Sequence, residues 1–217
     1  MRTSGRIVYP GKGKVLSIHK TKAAFYQKRV FYILLALFVL GLMYGSILLK
    51  SGNTALLERL ATIQNVAVAN KVNQSFGITF VHSLFSSGIF VLLAFLLGFS
   101  AVTQPATFLT VFVKGLGLGS SIGYFYLNYG LAGVGYSALV IMPGAVISTF
   151  ALILSARESV ALSNLLFFSF TKEENGCNKS TLKLYLLKHL ILGAFVLASS
   201  FLDAVMALIF AGIFRFG

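Results

Sequence analysis

Residues 105–126 read PATFLTVFVKGLGLGSSIGYFY, and this stretch decides the fold. A single charge, Lys114, stands in an apolar run long enough to cross a bilayer, whose ~30 Å of hydrocarbon needs about 20 helical residues. Gly115, Gly119 and Gly123 recur at every fourth position, which places all three on one helix face. In lipid, a face without side chains lets a second backbone approach closely, and that is how membrane helices associate. The partner is either another span of the same chain or a second copy, which makes a homo-oligomer one of the outcomes. Gly41 and Gly45 form a similar, weaker pair.

The rest of the chain repeats the pattern. Of 217 residues, 57% are hydrophobic and only 11% charged, with a mean hydropathy of +0.88. A water-soluble domain of this size has nowhere to hide so much apolar surface. Residues 30–49, 80–100, 105–126, 131–155 and 190–214 each read as a spanning helix. Strict alternation is absent, so a membrane β-barrel is not expected. The expected fold is an all-α polytopic helix bundle of five transmembrane spans. The count rises to six if Pro143 splits the fourth span, since proline removes an amide donor and strikes the preceding turn. A basic tail, residues 1–29, precedes a single bundle over residues 30–217. The first span reads as an uncleaved signal anchor, with no small-residue cleavage pattern at Leu48-Leu49-Lys50.

Charge sets the expected orientation. The net charge is +13, and eight of the 18 basic residues fall within the first 29 positions. A basic run directly before an apolar helix marks a cytoplasmic flank and attracts anionic membrane lipid; this distribution argues against nucleic acid as a partner. With the N-terminus inside, thirteen basic residues lie on the cytoplasmic side and four outside, Lys114 being within a span. The chain is therefore expected as a multi-pass membrane protein, N-terminus cytoplasmic and C-terminus outside; the bacterial plasma membrane as its setting is what the family resemblance given below implies. Two amphipathic helices are expected to lie at the interfaces. The outer one, within Ser51–Ser75, carries Leu56, Leu57, Leu60 and Ile63 at helical spacing and offers a partner contact. The inner one is Arg157–Phe170, followed by the polar loop Thr171–Ser180.

Two charges fall deep in the bundle. Lys114 is about 15 Å past Gln104 at the helical rise, and Asp203 about 21 Å past His189 on the same scale. A charge at such depth costs at least ~2.5 kcal/mol and seeks water or a partner. Lys114 and Asp203 are expected to approach one another as an intramembrane polar pair. Arg157 and Glu158 fall at the inner interface, and His82 near the outer one.

Catalytic signatures are missing. The sequence has no His-Glu-x-x-His, no Gly-x-Ser-x-Gly elbow and no phosphate-binding glycine loop. Cys177 is the only cysteine, which excludes an internal disulfide and a cysteine metal cluster. Neither an enzyme nor a cofactor is expected.

A family resemblance emerges from motifs in order: Leu97-Gly98-Phe99-Ser100-Ala101, then Phe112-x-Lys114-Gly115-x-x-Leu118-Gly119, then Gly-Tyr-x-Tyr at Gly123–Tyr126. Met142-Pro143 and Ala151-Leu152-Ile153-x-x-Ala156-Arg157-Glu158-Ser159 complete the set. Together they resemble the stage II sporulation protein M family of integral membrane proteins. The resemblance implies a non-enzymatic scaffold that anchors cell-wall-remodelling proteins, stage II sporulation proteins D and P, on the outer side of the membrane during engulfment. Some members carry Gln-Asn after the fourth-span proline, where this chain has Gly144-Ala145. The wider family extends beyond spore formers. The competing expectation is a transporter or permease subunit with its substrate path near Lys114 and Asp203.

The orientation has a direct test in Cys177. A membrane-impermeant maleimide is expected to label it in inverted vesicles and not in intact cells; labelling from outside the cell would overturn the assignment.

Overall fold

The computed structural model describes residues 12–50, 76–100, 103–172 and 179–210. Among them the regular structure is entirely helical: α1 (Lys12–Lys50), α2 (Phe76–Leu97), α3 (Gln104–Tyr136), α4 (Met142–Lys172) and α5 (Lys179–Phe210). A π-helical turn, Ser137–Ile141, joins α3 to α4. Four helical stretches are long and apolar enough to cross a membrane: Tyr26–Leu49, Phe76–Leu97, Gln104–Phe167 and Lys179–Phe210. The outward faces agree with a hydrocarbon solvent, since Leu131 is 88% exposed, Phe85 74% and Leu190 73%. The Ser51–Ser75 segment, with Leu56, Leu57, Leu60 and Ile63, lies outside the described residues.

The 64-residue stretch Gln104–Phe167 is folded back on itself. Gly130 has φ 55° and ψ −131°, a conformation open to glycine and strained for other residues. The rings of Phe125 and Tyr136 lie 4.9 Å apart, whereas a straight helix would separate them by about 16 Å. A Cβ on Gly133 would collide with the carbonyl of Phe125, so the two arms press together directly after the turn. At the other end of α3, Pro105 occupies the first turn, where its missing amide proton forfeits no helical bond.

Two sequence expectations are corrected here. Pro143 does not break the chain: α4 runs through it from Met142 to Lys172, and no sixth segment arises. The π-turn one step earlier widens the helix where the proline ring would otherwise strike the carbonyl four residues back. Nor is Arg157–Phe170 a separate interfacial helix. It continues α4, and Glu158, Ser159, Val160, Leu162 and Ser163 are buried within the bundle. The apolar run after Ser163, with Leu165, Leu166, Phe167, Phe168 and Phe170, suggested a surface helix, but the residues before it pack into the core.

The most extensive helix contact joins α1 to α3, and glycine makes it possible. A Cβ on Gly41 would meet the carbonyl of Phe112, and one on Gly45 the carbonyl of Leu116. Reciprocally, Gly115 faces the carbonyl of Phe38, and Gly119 that of Leu42. Gly123 continues the seam against Ser46 and Leu49, and Ser46 donates from Oγ to the Gly119 carbonyl at 3.0 Å. The glycine face of α3 is thus occupied within the chain. On the other side, α5 packs against α4 and α2. Val30, Leu34, Val91, Val111, Leu152 and Val196 belong to the main apolar core, while a second core of Leu49, Tyr124, Phe125, Tyr136, Val140 and Ala207 sits near the Gly130 turn.

Gly119→Ile is expected to destabilise the bundle by about 2–3 kcal/mol through overpacking. A methyl group added at Gly117, by contrast, would meet no neighbouring atom within 4 Å. Gly117→Ala is accordingly expected to be neutral or to stabilise by up to about 1 kcal/mol. Equilibrium unfolding in bicelles distinguishes the two, and equal losses would contradict the assigned seam.

Candidate functional site

Two polar constellations interrupt the apolar bundle. The first is a cavity of about 210 Å³ between α2, α3, α4 and α5. From α2 it takes His82, Ser83, Ser86 and Ser87, which share one helix face. From α3 come Lys114, Leu118, Ser121 and Phe125, again one stripe. The returning arm contributes Tyr136, Ile141, Gly144, Ala145 and Ser148, and α5 contributes Asp203. The hairpin at Gly130 is what sets Lys114 opposite Ser148.

Lys114 and Asp203 therefore line one cavity, and their charges are electrostatically coupled. The Lys114 ammonium also lies 5.0 Å from the centroid of the Phe90 ring, a cation–π distance. Asp203 owes its place to Gly144: a Cβ there would come within 2.9 Å of the Asp203 Cβ. One turn before Asp203, Ser199 donates from Oγ to the Gly144 carbonyl at 2.7 Å and pins α5 to α4. Sequence reading noted Gly144 only as a departure from the family pattern, because its packing role depends on a helix distant in the chain. His82 and Ser86, exposed on α2, stand at the cavity mouth.

The second constellation lies at the opposite end of the bundle. Glu158 is held by Arg157 and Lys188, each at 2.6 Å; its side chain is 8% exposed, theirs 28% and 39%. Gln104 donates from Nε2 to Asn164 Oδ1 at 2.6 Å, and Asn164 donates from Nδ2 to Tyr26 Oη at 2.7 Å, tying α3, α4 and α1 together. Ser163 donates to the Ser100 carbonyl at 2.8 Å. Tyr185 donates from Oη to the Phe95 carbonyl at 2.8 Å and lies 3.1 Å from Ser159 Oγ. Gly98 leaves the space that the Tyr185 hydroxyl fills.

A serine–histidine pair within this second group escaped the sequence search, because 34 positions separate its members. Ser155 Oγ lies 2.9 Å from His189 Nε2. The Tyr185 carbonyl, 3.1 Å from His189 Nδ1, can only accept, so Nδ1 carries a proton and the neutral ring takes the Ser155 hydrogen at Nε2. Ser155 is completely buried, while the His189 ring borders an apolar groove between α2 and α5 with Leu84, Phe95 and Leu190. The pair joins α4 to α5.

Comparison with protein-family models, curated proteins and solved structures finds nothing that matches this chain.

Glu158→Ala would leave Arg157 and Lys188 facing each other without their counter-charge. A loss of about 2 kcal/mol is expected, below the 3–5 kcal/mol of a fully buried pair because both cations reach the surface. Ser155→Ala is expected to cost about 1–2 kcal/mol by leaving His189 short of a partner. Unfolding equilibria measure both, and an unchanged stability for Glu158→Ala would refute the clamp.

Proposed function

We propose that the chain is a non-enzymatic integral membrane scaffold that anchors cell-wall-remodelling proteins. The hairpin at Gly130 supports reading Gln104–Phe167 as two crossings, which with the three other apolar helices makes five. An odd count agrees with the basic N-terminal flank in the cytoplasm and the C-terminus outside a bacterial plasma membrane. By resemblance to the stage II sporulation protein M family, the setting is engulfment during sporulation. The partners would be stage II sporulation proteins D and P.

The observation that carries this reading is how the resemblance-bearing residues are employed. Gly98 packs on Tyr185 and Ser159; Gly115 and Gly119 seat α1; Glu158 clamps Lys188 on α5. They build a well-braced body, which is what an anchor requires. Partner contact then falls to the Ser51–Ser75 segment through Leu56, Leu57, Leu60 and Ile63, and to the end near Arg215.

The permease reading draws on the polar cavity. A cavity that reaches Lys114 and Asp203 fits a transporter that opens its midplane site to one face at a time. One turn beyond Lys114 and Ser148, Val111 and Leu152 belong to the main apolar core. The scaffold reading is preferred because the resemblance-bearing residues are taken up by packing.

Capture from mildly solubilised membranes tests the proposal. The intact chain is expected to retain cell-wall hydrolases, and the combined change of Leu56, Leu57, Leu60 and Ile63 to serine to lose them while the bundle stays folded. Retention of hydrolases by that variant, or capture of a soluble ATPase by the intact chain, would overturn it.

A further inference from the structure

The groove between α2 and α5 has a volume of about 320 Å³ and is lined by apolar positions within residues 84–95 and 186–196. Leu92, Leu186 and Leu190 on its rims are exposed, while Val91 and Val196 are buried beneath. His189 borders it with both ring nitrogens already engaged, one by Ser155 and the other by the Tyr185 carbonyl. The groove therefore asks its occupant for no hydrogen bond. At the helical rise it is about 15 Å long, half of the ~30 Å of bilayer hydrocarbon. That is the reach of an acyl chain from one leaflet.

Two glycines deepen the groove, and their use differs from that of the glycines in the α1–α3 seam. A Cβ on Gly41 or Gly119 would strike the main chain of another helix; one on Gly88 or Gly193 would meet nothing within 4 Å. The space they leave is filled by no part of the described chain, and it opens to the surrounding lipid.

The head of the groove carries charge. Lys183 stands three residues before Leu186 and seven before Leu190, and Lys179 seven before Leu186, spacings that share one helix face. Both lysines are exposed on the first two turns of α5. The next one, Lys188, is committed to Glu158 at 2.6 Å. Basic side chains at the end of an apolar track attract an anionic headgroup, whereas a zwitterionic lipid sets its own ammonium against them.

We propose that the α2–α5 groove holds one anionic phospholipid, its acyl chain between Gly88 and Gly193 and its phosphate on Lys179 and Lys183. The site involves neither the Ser51–Ser75 segment nor the basic tail, so it is tested apart from partner capture.

The test uses the full chain in mild detergent, with bound lipid read by native mass spectrometry. Phosphatidylglycerol is titrated against phosphatidylcholine of the same acyl chains. A single phosphatidylglycerol is expected to bind about twentyfold tighter, since each lysine beside an anionic group contributes roughly fivefold. Lys179→Gln combined with Lys183→Gln is expected to erase that preference. Gly88→Leu combined with Gly193→Leu fills the open space and is expected to remove the bound lipid while the chain stays folded. Gly77→Leu, equally free of neighbours but outside the groove, is expected to retain it. Equal binding of the two lipids would overturn the proposal. So would full retention in the paired glycine variant, which would place the lipid elsewhere, on the basic tail for example. Displacement by inorganic phosphate, or a dimer of the chain that the glycine variant abolishes, would overturn it as well.

Discussion

The architecture depends on main chain touching main chain where α1 crosses α3. Hydrocarbon gives helices no hydrophobic reason to leave it for one another, so close packing must supply the attraction. Five glycines provide that closeness, two from α1 and three from α3, each helix setting its bare positions against the other's carbonyls. Ser46 adds a hydrogen bond across the seam, directed at a carbonyl that only a glycine neighbour leaves accessible. With α1 and α3 fixed, Lys114 cannot turn toward α1 and must point to α2 and the returning arm.

Polar groups divide the remaining work according to depth. Near the Gln104 end they form a belt, in which Glu158, Asn164, Tyr185 and His189 join helices that are far apart in sequence. Such bonds specify one arrangement out of many because apolar surfaces alone would slide. Toward the Gly130 turn the polar groups enclose space instead of filling it. Serines on α2 and α4 whose counterparts in the belt are fully occupied here face a void. Tyr185 and Phe95 stack across the belt at 5.5 Å, while Gly144 and Ala145 leave the other end open.

Much of this was legible in the sequence, because hydropathy and glycine spacing are local signals. The apolar stretches, the every-fourth glycines and the depth of Lys114 and Asp203 all follow from runs of one or two dozen residues. The reading faltered where a local rule was overridden nearby. Pro143 announced a break, but the π-helical turn Ser137–Ile141, ending just before Met142-Pro143, widens the helix and absorbs it. Arg157–Phe170 looked like a surface helix from its leucines and phenylalanines after Ser163, but Ser159 and Ser163 bond to Tyr185 and to the Ser100 carbonyl inside the bundle. Gly144 and the Ser155–His189 contact were invisible for another reason. Their meaning comes from α5, and no spacing along one helix encodes which residue of another will lie opposite.

The turn at Gly130 has a consequence for biogenesis. From Gly115 to Ala156 the chain holds no Lys, Arg, Asp or Glu, so the hairpin's tip offers the insertion machinery no charge to retain or release. A hairpin with so bare a tip takes its direction from charges elsewhere in the chain, the basic N-terminal run first among them. The glycine turn thus joins two apolar rods whose sense is inherited instead of encoded.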